Sequence, residues 1–342
     1  MHSKQVIKAA LAGQSSPRVP VAILGGGYWF AKLKNTRLSD MLSNPEGLAG
    51  MIEDMAELVD SDIVYAGSGF PNLPAAALGA RIKFQDNGAI DLEDTIAGTA
   101  DEIHGLDISL VDSNAHISSV GESYKRVNNA IGDDYMVSYT GWGPFTLAAR
   151  IVGEERFVKA IYKDKELVEV ALEFITDLLI RMFEPLVKNH HLELITLGDP
   201  TASGDLISKK QFEKFALPSL NRFTNWARQT GVKTLLHICG DTTDRLKLFP
   251  KTGADCISLD SKVDMAIAME ELGGEVCVAG NIDPVKILMN GSPNQVEDAT
   301  SSLLEKVSGK GAFILMPGCD LPPATPLENI LRFIQTGKNF GN

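Results

Sequence analysis

The strongest constraint on the fold of this chain is the alternation of eight short apolar runs with longer segments of helical periodicity. The runs are rich in Val, Ile and Leu without a clean polar alternation, which is typical of parallel strands covered on both faces. Strands alternating with helices predict a right-handed parallel α/β fold. Eight strands favour a closed (β/α)8 TIM-type barrel, and a doubly wound sheet is the alternative. The runs lie at 19–24, 62–67, 135–140, 192–197, 233–238, 255–260, 275–280 and 312–317.

Two additions to this barrel are expected. The chain before residue 19 is predicted to form an N-terminal helical extension, and the stretch ARIKFQDNGAIDLEDTI (80–96) indicates an inserted β-hairpin about the turn Asp86-Asn87-Gly88. The sequence shows no repeat of fixed period, no low-complexity segment and no linker. Residues 1–342 are therefore predicted to form a single domain.

Several helix boundaries are marked in the sequence. Asn44 followed by Pro45 is a typical helix start, and Ser208 with Gln211 has the spacing of a capping box. A long amphipathic segment at 164–190 contains Pro185, where we expect an interruption because proline lacks the backbone N–H that a helix interior requires.

Composition limits which cell compartment and which binding partners are expected. The 342 residues carry a net charge of −12, which argues against nucleic acid or an anionic membrane as a partner. No apolar run approaches the roughly 20 residues of a transmembrane helix, and the first residues lack the apolar core of a signal peptide. Four cysteines without an export signal predict reduced thiols in the cytoplasm.

Polar residues follow most of the predicted strands, where barrel enzymes hold their chemistry. His237 and Cys239, in TLLHICGDTT, are the most informative of them because residues two apart point to the same side of an extended segment. An imidazole and a thiolate side by side suit zinc, whose catalytic sites use three protein ligands and one open position. The other strand-end residues are Gly25, Gly26, Gly27, Tyr28, Ser68, Gly141, Trp142, Asp199, Asp260, Asn281, Asp283, Cys319 and Asp320.

The third zinc ligand would be one of the remaining cysteines. Cys256 and Cys277 lie within apolar runs and are interpreted as small core residues. Cys319 follows the last strand in MPGCDLPP and is therefore expected at the rim. Zinc with two thiolates favours alkyl transfer to a bound thiol over hydrolysis, although the spacing alone leaves hydrolysis, a structural metal and simple packing open.

With these motifs the chain resembles the uroporphyrinogen decarboxylase superfamily, and within it the methylcobamide:coenzyme M methyltransferase branch. The resemblance extends over nearly the whole chain. That branch carries His-x-Cys and a distant Cys as zinc ligands, a pattern that His237, Cys239 and Cys319 match. The most specific stretches are GPFTLAARIVG (143–153), GDPTASGDLISKKQFEKFALP (198–218), HICGDT (237–242), GNIDP (280–284) and MPGCDLPPATPLENI (316–330).

The resemblance implies a zinc-bound acceptor thiolate that attacks the methyl group of a methylated corrinoid, giving a methyl thioether and a cob(I)amide. The implied acceptor is coenzyme M, and homocysteine or another thiol stays open. The corrinoid is expected on a separate small protein, because the chain contains no D-x-H-x-x-G motif.

The chain departs from the decarboxylase branch, which is the alternative within this superfamily. Decarboxylases carry a motif similar to RQAGRY after the first strand, with arginines for the substrate carboxylates, and an acidic residue after the second. Here the corresponding stretches are LGGGYWF (24–30), which has no arginine, and YAGSGF (65–70), which has no acidic residue. A site without those charges is poorly suited to a substrate with eight carboxylates.

Five further strand-end residues have both a functional and a structural interpretation. Asp260 is predicted to be a fourth zinc ligand or to orient His237, or else to cap the next helix. Asp199 and Asn281 are predicted to contact the substrate, or else to fix a turn and cap a helix. Tyr28 and Trp142 are predicted to form the floor of the corrinoid pocket, or else to pack at the rim.

Overall fold

A curled parallel sheet forms the centre of the protein. The computed structural model describes residues 2–14, 16–85 and 90–341. The sheet has seven strands in the order β1-β4-β5-β6-β7-β8-β9, and β2 and β3 form a separate antiparallel pair. The strands are β1 (Ile63–Ala66), β2 (Ile82–Phe84), β3 (Ile90–Leu92), β4 (Met136–Trp142), β5 (Leu194–Gly198), β6 (Lys233–Ile238), β7 (Cys256–Leu259), β8 (Cys277–Ile282) and β9 (Phe313–Pro317).

The first strand was predicted at 19–24, and there the segment 20–23 closes the ring without forming a regular strand. The Ala22 N–H donates to Leu315 O of β9 at 2.9 Å, and on the other side the Asp62 N–H donates to Val21 O at 2.8 Å. The Val21 N–H is instead taken by the Asp62 carboxylate at 2.8 Å, and the Ile23 N–H by the Ser61 hydroxyl at 3.2 Å. Side chains thus replace part of the backbone ladder. The predicted TIM-type barrel is confirmed, with seven strands and one bridging segment.

Helices surround the sheet. The α-helices are α1 (Ser3–Leu11), α2 (Gly27–Leu33), α3 (Leu38–Met41), α4 (Pro45–Val59), α5 (Leu73–Ala77), α6 (Ala100–His104), α7 (Ala115–Ile131), α8 (Pro144–Val152), α9 (Glu154–Lys163), α10 (Lys165–His190), α11 (Lys209–Gln211), α12 (Leu217–Gln229), α13 (Met265–Leu272), α14 (Pro293–Val307) and α15 (Leu327–Asn339). Short 3₁₀ segments lie at Ile108–Val111, Pro200–Ala202 and Thr243–Thr252, and π-helical turns at Phe212–Ala216 and Pro284–Met289. No helix in the described part of the chain is long and apolar enough to cross a bilayer.

Alternation along the strands divides the core into two parts. In β6, Leu236 and Ile238 belong to the large cluster that also contains the apolar faces of the helices, while Leu235 belongs to a smaller inner cluster. Ile7 and Leu11 of α1 are part of that inner cluster. The predicted N-terminal helical extension is therefore confirmed, and its apolar side packs with the interior of the barrel.

The other local predictions have mixed outcomes. The inserted hairpin is confirmed by the β2–β3 pairing, and its predicted turn Asp86-Asn87-Gly88 lies outside the described residues. Asn44 caps α4 and the Ser208–Gln211 capping box is present.

The predicted interruption of the helix at Pro185 is wrong, because α10 continues to His190. Burial of Phe183 and Leu186 on either side of the proline offsets the missing hydrogen bond. The single-domain prediction for 1–342 stays a prediction.

We predict that Asp62→Ala weakens the fold through the closure of the barrel. Asp62 is fully buried, and its two oxygens accept from Arg18 at 2.6 Å each and from the Val21 N–H. Its removal leaves a guanidinium and a buried N–H without their acceptor, so the free energy of unfolding should fall by about 3 kcal/mol in urea titrations.

The matched control is Asp54→Ala, which removes an exposed carboxylate paired with Lys34. We expect a change within about 0.5 kcal/mol for this surface pair. Equal losses for the two variants would contradict the closure role of Asp62.

Candidate metal centre

Three side chains bring metal-binding atoms together at the C-terminal end of the barrel. The donor atoms of His237, Cys239 and Cys319 all lie within 4.8 Å of one another. His237 Nε2 is 3.0 Å from Cys239 Sγ, and the two sulfurs are 3.2 Å apart. The structure thus unites the three residues that the sequence predicted as zinc ligands.

His237 is oriented by the neighbouring strand. It pairs in register with Ser258 of β7, and its Nδ1 lies 3.1 Å from Ser258 Oγ and 3.3 Å from Ser258 O. The carbonyl oxygen only accepts hydrogen bonds, which assigns the ring proton to Nδ1. The Nε2 lone pair therefore faces the thiols, as a metal ligand requires.

Cys239 is held by a tight turn after β6. The next residue, Gly240, has φ 84°, and a Cβ there would lie 2.4 Å from Ser203 Oγ, so only glycine fits. The Gly240 N–H donates to Asp260 Oδ2 at 2.9 Å. Asp260 therefore fixes the backbone next to a candidate ligand.

Cys319 follows β9 on a turn that lies against the loop after β7. The Gly318 N–H donates to Ile282 O at 2.8 Å. A Cβ at position 318 would lie 2.5 Å from the Ser261 nitrogen, so a side chain there would displace the turn. Close backbone contact thus determines where the third ligand sits.

The two thiols are in contact and have different pKa values. The hydrogen bond between the two thiols lowers the pKa of Cys319 and raises the pKa of Cys239. The cluster therefore favours the thiolate at Cys319, and a bound cation would displace the proton of Cys239.

This donor set fits zinc. Tetrahedral zinc, with Zn–S near 2.3 Å and Zn–N near 2.1 Å, holds such donors roughly 3.6–3.8 Å apart. The three atoms already lie within 4.8 Å, in a partly buried setting that limits competition from water. One imidazole and two thiolates leave one position open, as in catalytic zinc sites.

The cluster forms one wall of a cavity of about 180 Å³. Tyr28 and Trp142, two of the predicted substrate-binding residues, also line it. Their polar ends are fixed, since Tyr28 donates to Gly69 O at 2.9 Å and the Trp142 indole donates to Asn72 Oδ1 at 2.9 Å. Both rings are therefore rigid walls.

A wider groove of about 840 Å³ adjoins this cavity. Tyr28, Pro71, Trp142 and Pro200 line both spaces and form the boundary between them. The site consequently has two compartments, a small inner cavity at the metal ligands and an outer groove beyond it.

Asp260 does not orient His237, because Ser258 occupies that place and Asp260 instead accepts from Gly240 and Lys262. It is not among the three clustered ligands and does not cap α13, whose N-cap is Asp264. The prediction that Asp260 is a fourth zinc ligand stays a prediction.

Asp199 and Asn281 support neighbouring backbone. Asp199 is buried, and its oxygens accept from the Thr146 N–H at 2.6 Å and the Phe145 N–H at 3.3 Å, at the start of α8. Burial raises the pKa of Asp199 to about 6. The Asn281 amide donates to Asp260 O and Val263 O. Neither lines the inner cavity, so their contact with substrate stays a prediction.

Sequence reasoning gave no role to Ser258, Asn72 and Asp320. Ser258 follows Cys256 at a spacing of two, which is a weak sign of an inward polar residue, but its pairing with His237 depends on strand register. Asp320 follows Cys319 directly and lines the inner cavity. Burial raises the pKa of Asp320 to about 6.

Comparison with known proteins gives the family. A family model described as uroporphyrinogen decarboxylase (URO-D) matches residues 2–340. The chain belongs to the uroporphyrinogen decarboxylase family. The uroporphyrinogen decarboxylase of Myxococcus xanthus is 25% identical over 301 residues, which are 85% of this chain and 82% of that enzyme.

Other relatives are methyltransferases. The methylcobamide:CoM methyltransferase MtbA of Methanosarcina acetivorans is 33% identical over 219 residues, 64% of this chain and 62% of that protein. The match therefore spans less than two thirds of that methyltransferase. The structure of a methyltransferase from Methanosarcina mazei superposes with a TM-score of 0.90 over 100% of both chains at 24% identity, which shows a shared fold.

We predict that Ser258→Ala lowers the zinc affinity of the protein about tenfold. This is the lower end of the range for loss of a residue that supports a metal ligand, because Ser258 O still accepts from His237 Nδ1. Competition with a chromophoric chelator measures the affinity. Ser219→Ala, which removes a buried hydroxyl bonded to helix carbonyls, is the matched control and should bind zinc as the parent does. Equal affinity of the parent and Ser258→Ala would contradict the orienting role.

Proposed function

We propose that this protein transfers a methyl group from a methylated corrinoid to a small thiol, with zinc held by His237, Cys239 and Cys319. The observation that carries the proposal is the cluster of one imidazole and two thiols at the end of a small cavity. The methylcobamide:CoM methyltransferase activity of relatives such as MtbA supports it. Coenzyme M is the acceptor that their names give.

The reaction joins the acceptor sulfur to the methyl carbon. The S–CH₃ bond forms while the Co–CH₃ bond breaks, the electron pair of that bond stays on cobalt, and the thiol proton goes to solvent. The products are a methyl thioether and a cob(I)amide. Bound zinc would lower the pKa of the acceptor thiol and keep it reactive at neutral pH.

Residues of the chain would position the metal ligands and the acceptor and would exclude water from the cavity. Ser258 keeps the His237 ring turned toward the thiols, and Asp260 keeps the Cys239 turn in place. Tyr28 and Trp142 restrict the opening of the inner cavity, so the acceptor sulfur is held at one end and meets the methyl group at the boundary. The outer groove is where the corrinoid of a separate small corrinoid protein would face this opening.

The second candidate is decarboxylation of uroporphyrinogen, favoured by the match to the Myxococcus enzyme over 85% of the chain. The charges of the outer groove count against it. Arg150 and Lys159 line that groove together with Asp91, Glu154 and Glu155, so acidic groups outnumber basic ones among its described lining residues. A substrate with eight carboxylates needs the opposite balance. We expect no loss of carboxylate from uroporphyrinogen.

We predict that the purified zinc-loaded protein, mixed with methylcobalamin and a small thiol, converts the methylcobalamin absorbance to that of cob(I)alamin or cob(II)alamin. Chelation of zinc should abolish the conversion. Cys319→Ala should slow it by more than about a hundredfold, because loss of a direct ligand exceeds the effect of losing a supporting contact.

Cys256→Ala is the matched control, since Cys256 is a buried cysteine of the inner core outside the cluster. It should retain most of the activity. No conversion with any thiol in protein that holds zinc would refute the methyl-transfer proposal, and equal loss in both variants would refute the assignment of Cys319.

A further inference from the structure

The inner cavity limits the size of the acceptor. Its volume of about 180 Å³ corresponds to roughly six water molecules at about 30 Å³ each. A two- or three-carbon thiol with one polar end group fills this space. A larger thiol, such as a peptide, would extend through the boundary at Tyr28 and Trp142 into the outer groove.

Asp320 gives the cavity a hydrogen-bond acceptor. Its Oδ1 accepts from the Gly26 N–H and the Leu321 N–H, both at 2.8 Å. No donor reaches Oδ2 within the part of the chain that the structure describes, and the residue lines the cavity. Because two backbone N–H groups hold Oδ1, the position of Oδ2 is fixed as well, and Oδ2 is left open to a ligand.

Apart from the metal ligands and the Trp142 indole, the remaining polar side chains that line the cavity carry hydroxyls. Ser68 accepts from the Gly27 N–H at 3.0 Å, and Thr196 is paired with Ser138 at 2.8 Å. Among the described residues that line the cavity, none is Lys or Arg. The carboxylate is therefore the strongest polar partner that the cavity offers to the end group of an acceptor.

We propose that the methyl acceptor is a short aminothiol, bound with its sulfur at the metal ligands and its ammonium group on Asp320. This inference rests on the proposed function and narrows its acceptor. An ammonium group pairs with the open oxygen, whereas a sulfonate or carboxylate would meet an acceptor group with no Lys or Arg beside it among the described lining residues. The methyl-transfer step is unchanged.

The test compares three thiols of equal length that differ only in the end group: 2-aminoethanethiol, 2-mercaptoethanol and 2-mercaptoethanesulfonate (coenzyme M). With methylcobalamin as the methyl donor, we expect kcat/KM to be at least about tenfold higher for the amine than for the sulfonate, the gain of one charge-assisted hydrogen bond. Homocysteine, which carries both charges, should fall between them.

A second readout does not depend on turnover. Calorimetric titration of metal-free and zinc-loaded protein with the product thioethers, 2-(methylthio)ethylamine and 2-(methylthio)ethanesulfonate, should show tighter binding of the amine to both forms. Asp320→Asn, which keeps Oδ1 for the Gly26 N–H, should reduce the preference for the amine about tenfold in both assays. Asp112→Asn, a change at an exposed pair with Arg181, should leave it unaltered.

The outcomes separate the two proposals. Fastest transfer to the sulfonate, or tighter binding of the sulfonate thioether, would overturn the aminothiol while methyl transfer stands. No transfer to any thiol would overturn the proposed function, and the thioether titration would then decide the ligand preference alone. An unchanged preference in Asp320→Asn would overturn the role of Asp320.

Discussion

Curvature of the parallel sheet is the constraint on which the candidate site depends. Cys239 follows β6 and Cys319 follows β9, with β7 and β8 between them. In a flat sheet, strands three positions apart would be separated by about 14 Å. The sulfurs are 3.2 Å apart because the sheet closes on itself. The hydrogen bonds of segment 20–23 to β9 and to Asp62, the residue before β1, maintain that closure.

Alternation along the strands then decides what the closed interior contains. Leu235 and His237 share the inward side of β6, and Cys256 and Ser258 share that of β7. Toward the N-terminal end the inward residues are apolar and pack with α1. Toward the C-terminal end they become polar and surround the inner cavity. A dry layer beneath the ligands gives His237 and the thiols a rigid support and keeps solvent from the lower side.

The sequence predicted features that depend on local pattern, and missed those that depend on register. His237 and Cys239 were found because residues two apart share a side of a strand, and Cys319 because a proline and a glycine end the strand before it. Ser258 was missed, because its place beside His237 depends on how β6 and β7 align. Asp199 has the same appearance in sequence whether it binds a substrate or accepts from the first turn of α8, and only the fold brings Thr146 to it.

Two errors have the same origin. A proline usually ends a helix, but Pro185 lies between side chains whose burial stabilises α10 by more than one hydrogen bond contributes. The segment 20–23 has the composition of a strand, but the side chains of Ser61 and Asp62 take hydrogen bonds that a neighbouring strand would otherwise accept. In both cases tertiary contacts outweigh the local preference of the sequence, and such contacts cannot be recognised from a short stretch of sequence.

The boundary between the two compartments explains how one site would treat two very different substrates. Pro71 and Pro200 have restricted backbones, and Tyr28 and Trp142 are anchored through their polar ends, so the opening is formed before any ligand arrives. In the proposed reaction a thiol of a few atoms would pass through it, whereas a corrinoid would be too large and would stay in the groove. In the proposed reaction the methyl group is then the part of the corrinoid that projects toward the inner cavity. The fold would thus bring sulfur and methyl carbon together by size exclusion rather than by domain movement.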